Sequence, residues 1–110
     1  MMGRPLHLLN CQPGLAALSP TELAALLPQL PDWQVIGGWL ERRFGFADYG
    51  QTMGFVNAVA ALAQAQDHHP DMVVRWGDCM VRWQTHSAGG LTLNDLVCAS
   101  KVDSAVLPKA

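Results

Sequence analysis

The chain has 110 residues and a mass of 11.9 kDa, with half of the residues hydrophobic, which suits one domain around a single modest core and leaves no room for a second module. A net charge of -2, with only seven Lys and Arg spread along the sequence, excludes a basic stripe for phosphate contacts, so no nucleic acid partner is expected. No run approaches the roughly 18 apolar residues of a membrane span, and Met1 to Leu9 lacks the apolar stretch of a signal peptide, so no membrane partner and a cytoplasmic location are expected.

In chain order, residues 1–18 carry Pro5, Pro13 and Gly14 with no sustained period and read as an irregular N-terminal arm; residues 19–110 read as the domain. Ser19-Pro20-Thr21-Glu22 has the form of a helix start, with a hydroxyl cap, a proline at the first helical position and a glutamate three residues after the cap. Leu23, Leu26 and Leu27 give that helix a short apolar face, and Pro28 and Pro31 end it. Two strand-like runs, Trp33 to Ile36 and Trp39 to Phe46, are broken by Gly37-Gly38, a hairpin signal. In the second run Leu40, Phe44 and Phe46 share one parity and Glu41 and Arg43 the other, with Arg42 interrupting the alternation.

Asp48 is suited to cap a helix from Tyr49 to about Gln66, where Phe55, Val59 and Leu62 fall at helical spacing and Val56 and Ala63 widen the stripe. The helix has no charged side chain, so its second face is expected to be covered, most simply by self-association. Met72 to Trp76 and Cys79 to Thr85 form a second hairpin around Gly77-Asp78. With those two residues as the turn, Trp76 faces Cys79, Val74 faces Val81 and Met72 faces Trp83, and this apolar side is the core side. Extending the same register puts His69 opposite His86. Gly89-Gly90 then breaks the chain, and a last helix opens with Thr92 as cap and Asp95 three residues on, with Leu93, Leu96 and Val97 as its apolar face and Pro108 closing the chain.

The three cysteines, Cys11, Cys79 and Cys98, form no Cys-x-x-Cys pair and read as reduced thiols. The histidines are more informative. Asp67-His68-His69-Pro70, His86 and Asp95 concentrate three of the four imidazoles, and groups titrating near neutral pH are suited to moving protons. A zinc or iron site is the competing reading, but neighbours in an extended stretch point to opposite faces, so His68 and His69 are poorly placed to share one ion; no metal is expected. Asp95 has a structural reading beside the functional one, because an acid in the first turn stabilises a helix through its macrodipole. Trp33, Trp39, Trp76 and Trp83 read as core and strand residues, with Trp76, at the turn, a candidate for a pocket wall.

Taken together, Asp67-His68-His69-Pro70-Asp71, Trp76, Thr85-His86, Gly90-Leu91 and Asp95 resemble the pterin-4a-carbinolamine dehydratase family, over about Leu26 to Asp103. The resemblance implies an α+β fold with a four-stranded antiparallel sheet and helices packed on one face, which agrees with the helix, hairpin, helix, hairpin, helix order. It implies loss of water from a 4a-hydroxytetrahydropterin to give the quinonoid dihydropterin in tetrahydrobiopterin recycling, with no metal or organic cofactor. His68 and His86 would handle the protons, His69 would hold the pterin, and Asp95 would orient a histidine or the substrate. Asp67, Gln84, Thr85, Ser87 and Trp76 would line the pocket. Homodimers or homotetramers are implied, as is a link to an aromatic amino acid hydroxylase. Other roles within the family are a transcriptional coactivator-like interaction module and a part in molybdopterin metabolism. Many members have an acid or a lysine where this chain has Gln64, and Asn or Tyr where it has Gly77.

Overall fold

The computed structural model of the chain describes residues 5–106. Pro108 lies outside the described residues. Helix α1 (Pro20–Leu26) starts as its sequence predicts, with Glu22 N–H donating to Ser19 Oγ at 3.1 Å and Ser19 N–H donating to Glu22 Oε1 at 2.8 Å. A single 3-10 turn, Leu27–Gln29, carries the chain through Pro28.

Strands β1 (Gln34–Ile36) and β2 (Trp39–Gly45) pair with Ile36 opposite Trp39, so Gly37 and Gly38 are the two-residue turn. Both have positive φ, 57° and 82°, the backbone that this turn needs and that glycine adopts without strain. Helix α2 (Tyr49–Gln66) occupies the predicted range, capped by Asp48, whose Oδ1 accepts from Gln51 N–H at 2.8 Å. Strands β3 (Asp71–Val74) and β4 (Asp78–Trp83) follow, then α3 (Leu93–Lys101). The sheet is antiparallel throughout in the order β1-β2-β4-β3, and α2 and α3 lie on one face of it, an α+β architecture.

The core forms where that face meets the helices. Leu40 and Phe44 of β2, Cys79, Val81 and Trp83 of β4, Phe55 and Val59 of α2, and Leu96 and Val97 of α3 are all buried. Phe44 packs on Phe55 at 4.6 Å between ring centroids, with Trp33 edge-on to Phe44 at 5.9 Å and Phe46 against Phe55 at 5.1 Å. Arg42, which breaks the alternation of β2, has a specific destination: its guanidinium lies 4.5 Å from the centre of the Phe44 ring, and Nη1 meets Asp103 at 2.8 Å.

The second hairpin departs from the expected register by two residues. Val74 faces Cys79 and Met72 faces Val81, so the connection is Arg75 to Gly77 rather than Gly77-Asp78. Asp78 is drawn into β4 because it pairs with Gly45 of β2, and its carboxylate takes Arg75 Nε at 3.1 Å across the turn. Gly77 passes close beneath β2: its carbonyl accepts from Phe46 N–H at 2.8 Å, and a Cβ at Gly77 would stand 3.3 Å from the Phe46 carbonyl oxygen. A shift of two keeps parity, so Cys79, Val81 and Trp83 stay buried and Met72 half-buried, while Val74 is left exposed at the sheet edge. Two consequences correct the sequence reading. Trp76 leaves the sheet and is 66% exposed, and β4 ends at Trp83, so His86 does not sit across from His69 but belongs to a 3-10 turn, His86–Ala88.

Candidate active site

The site begins where α2 ends. Asp67 takes the left-handed conformation (φ 51°, ψ 41°), the one non-glycine residue among those described to do so, at a cost of about 1 kcal/mol. This closes the helix, with His68 N–H donating to Ala63 O at 3.1 Å, and it splits the two histidines. His68 turns inward and stacks on buried Trp83, 5.7 Å between centroids and 10° from parallel. His69 turns outward and pairs its Nε2 with Gln64 Oε1 at 3.0 Å.

Asp95 meets His68 from the first turn of α3. The capping box read from Thr92 and Asp95 is present, so the carboxylate is folded back over the helix start. Asp95 is fully buried, and both of its oxygens are used. Oδ1 lies 2.6 Å from His68 Nε2, while Oδ2 accepts from the Thr85 hydroxyl at 2.7 Å and the Thr92 N–H at 2.8 Å. Thr85 and Thr92 hydroxyls also meet, at 2.8 Å. A buried carboxylate is tolerated only with such compensation, which here comes from two neutral donors, the helix N-terminus and an imidazole able to carry positive charge. The His68 pKa is raised above the ordinary value, chiefly by its hydrogen bond to Asp95, with burial opposing.

Thr85 is held for this contact by its own backbone, which bridges to Gly90 across the short turn containing His86. His86 itself is exposed on that turn.

The N-terminal arm supplies the remaining wall. It contains a 3-10 turn, Leu6–Leu8, packed against α3, and is tied down by amide side chains. Gln12 N–H donates to Asn94 Oδ1 at 2.9 Å while Asn94 Nδ2 donates to Gln12 O at 2.7 Å, and Cys11 N–H donates to Gln66 Oε1 at 2.8 Å. Between the arm and the histidine lies a cleft of about 320 Å3 bounded by Cys11, Gly14, Asp67, His68, Thr85 and Ser87. A larger concavity of about 490 Å3 lies over β1 and β2 beside Arg42, Arg43, Glu41 and Asp32. It contains no histidine or cysteine, so the smaller cleft is where groups able to exchange protons near neutral pH are found.

Of the residues singled out from sequence, His68, Asp95, Thr85, Asp67 and Ser87 gather at or behind this cleft. His69, His86, Gln84 and Trp76 do not line it. Gln84 donates its Nε2 to the Gly38 carbonyl at 3.1 Å, and Trp76 stands at the opposite end of the β3–β4 hairpin from His68. Sequence reasoning missed Cys11, Gln12, Gln66 and Asn94. The Pro13-Gly14 turn and an asparagine beside Asp95 were the only signals, and neither reveals that the arm crosses α3.

Comparison with known proteins places the chain in a family. The family profile described as pterin 4 alpha carbinolamine dehydratase matches residues 16–105. A protein of Chromobacterium violaceum provisionally named a pterin-4-alpha-carbinolamine dehydratase is 46% identical over 98 residues, 87% of this chain and 91% of that one. The crystal structure of a transcriptional coactivator/pterin dehydratase from Brucella melitensis superposes with a TM-score of 0.76 at 29% identity, covering 82% of this chain and 98% of that one. A pterin dehydratase-like protein described as a RuBisCO assembly factor of the alpha-carboxysome gives a TM-score of 0.55 at 26% identity, covering 66% and 83%. With a matching profile over most of its length and close relatives of nearly its full extent, the chain belongs to the pterin 4 alpha carbinolamine dehydratase family.

Proposed function

We propose that the chain removes water from a 4a-hydroxytetrahydropterin to give the quinonoid dihydropterin, in tetrahydrobiopterin recycling, by acid–base catalysis at the His68 cleft. The observation that carries this reading is the 2.6 Å contact between His68 Nε2 and buried Asp95 at the floor of a cleft sized for a small bicyclic ligand.

The reaction needs a base for the proton on the ring nitrogen and an acid for the departing 4a-hydroxyl, and the two transfers together release one water. Asp95 directs the Nε2–H of His68 toward itself, which leaves Nδ1 as the atom that exchanges a proton with the ligand. Because the same contact favours the imidazolium, His68 is suited to protonating the hydroxyl. The family resemblance assigns the ring-nitrogen proton to His86 and the hold on the pterin to His69; both side chains are exposed outside the walls of the cleft, so in these roles they meet the part of the pterin that projects from it. Asp67, Thr85 and Ser87 contribute polar groups to the wall. Dehydration of 4a-hydroxytetrahydropterin should be measured for the wild type, His68→Ala and His86→Ala; equal rates in all three would sink the reading.

A second reading, an interaction module, has an observation of its own. Both edge strands of the sheet present apolar side chains, Val35 and Ile36 on β1 and Val73 and Val74 on β3, and unpaired backbone beside them. Two structural relatives carry names of this kind, coactivator and assembly factor. Homodimers or homotetramers would use these edges and the outer face of α2, which carries no charged side chain. Light scattering that returns only monomer at micromolar concentration, with a pull-down that returns no other protein, removes this reading.

A further inference from the structure

Cys11 and Cys98 are 87 residues apart in sequence, yet their Sγ atoms lie 3.3 Å apart. Cys98 is fully buried on α3, one turn beyond Asp95. Cys11 belongs to the arm, is half-buried and borders the cleft, with its Sγ also 3.7 Å from the Asn94 carbonyl oxygen. Their surroundings differ in a chemically useful sense. The Cys98 S–H pointed at Cys11 lowers the Cys11 pKa, helped by the positive charges of His68 and Lys101 against the effect of burial. Cys98 is shifted upward, by donating that hydrogen bond and by burial. An accessible thiol inclined to ionise beside a buried protonated one is the arrangement that exchanges with small disulfides.

We propose that Cys11 and Cys98 are a redox pair that closes to an intramolecular disulfide when the chain meets a low-molecular-weight disulfide, fixing the arm's wall of the cleft to α3. In the first step the Cys11 thiolate attacks one sulfur of the oxidant RSSR, forming Cys11–S–SR and expelling RS⁻, which takes up a proton. In the second, Cys98 gives up its proton and attacks Cys11 Sγ, forming the protein disulfide and expelling the second RS⁻. Two protein thiols are oxidised and one RSSR becomes two RSH. The sulfurs must approach from 3.3 Å to about 2.05 Å, a movement of the arm alone, since its ties to the body at this point are the side-chain amides of Gln66 and Asn94.

Cys79 supplies an internal control. It is buried in β4, burial pushes its thiol up to about 11, and neither other cysteine is its partner.

The test is incubation of the full chain with glutathione disulfide, followed by thiol counting, peptide mapping and thermal melting. The wild type should lose two of its three thiols, yield a Cys11–Cys98 cross-linked peptide without retained glutathione, and melt at least about 5 °C higher, because the link joins distant parts of the chain. Cys98→Ala should hold one glutathione on Cys11, and Cys11→Ser, a change at a half-exposed position, should leave both remaining thiols unreacted. Three unreacted thiols in the wild type, a stable glutathione adduct there, or a cross-link through Cys79 would each overturn the proposal. None of these readouts depends on the dehydration reaction.

Discussion

Asp95 and Asp103 stand at the two ends of α3, and each ties the helix to other parts of the fold, but they face partners of different chemistry. Asp103 receives Trp33 Nε1 at 2.9 Å and 3.0 Å and Arg42 Nη1 at 2.8 Å, groups that do not give up their protons near neutral pH. It lies just past the helix C-terminus, where the macrodipole disfavours an anion, and its pKa is raised by burial, with Trp33 and Arg42 acting against the rise. Asp95 lies at the favourable end and faces His68, an imidazole whose hold on its proton this contact strengthens. One acid is a strut; the other holds an imidazole in one orientation at a cleft. Pairing a buried carboxylate with arginine gives permanence, and pairing it with histidine gives a group that can exchange.

The contrast predicts unequal responses. His68→Ala should have the largest effect, lowering kcat for dehydration by about 10³-fold, the scale of a lost general acid. Asp95→Asn should come next, at about 10²-fold in kcat with a smaller change in KM, because the imidazole stays in place but loses the partner that directs its proton. Steady-state rates at one pH suffice to check both. If Asp95→Asn were as active as the wild type, the distinction between the two acids would fail.

Much of the frame behind this contrast is legible in the residues. Ser19 with Glu22, Asp48, and Thr92 with Asp95 marked the starts of α1, α2 and α3, because capping is local chemistry at fixed spacing. Gly37-Gly38 marked the first hairpin for the same reason. The second hairpin misled because its register is decided by Asp78 pairing with Gly45, a contact with β2 that no local rule contains. His68 and Asp95 could be shortlisted, but their 2.6 Å contact arises from the left-handed turn at Asp67, and aspartate signals that conformation far less strongly than glycine does. The arm's wall was not legible, since it depends on amide pairs between Gln12 and Asn94 and between Cys11 and Gln66 that join remote segments.

Asp103→Ala should act in the opposite sense to Asp95→Asn. It strips Arg42 and the Trp33 indole N–H of their shared acceptor beside the core, a loss of about 2 kcal/mol after allowance for the partial exposure of both charged groups. Thermal melting should fall by about 10 °C, while kcat measured well below the new midpoint should match the wild type. A large kcat loss in this variant at low temperature would mean that the two ends of α3 are not independent.

The smallest effect is in the pH dependence of stability, and its sign follows from His68. The folded pKa is raised above the unfolded value of about 6.5, so the folded state binds more protons between the two values. The contribution is fully present below about pH 6.5 and is lost as pH rises through the folded value. Wild type should therefore lose about 3 °C in Tm more than Asp95→Asn does between pH 6 and pH 9, since the variant lacks the contact that sets the shift. Parallel curves for the two proteins would show that the contact does not favour the imidazolium. The same proton links stability to turnover: with His68 as the acid, kcat should fall on the alkaline side along the titration that weakens the fold.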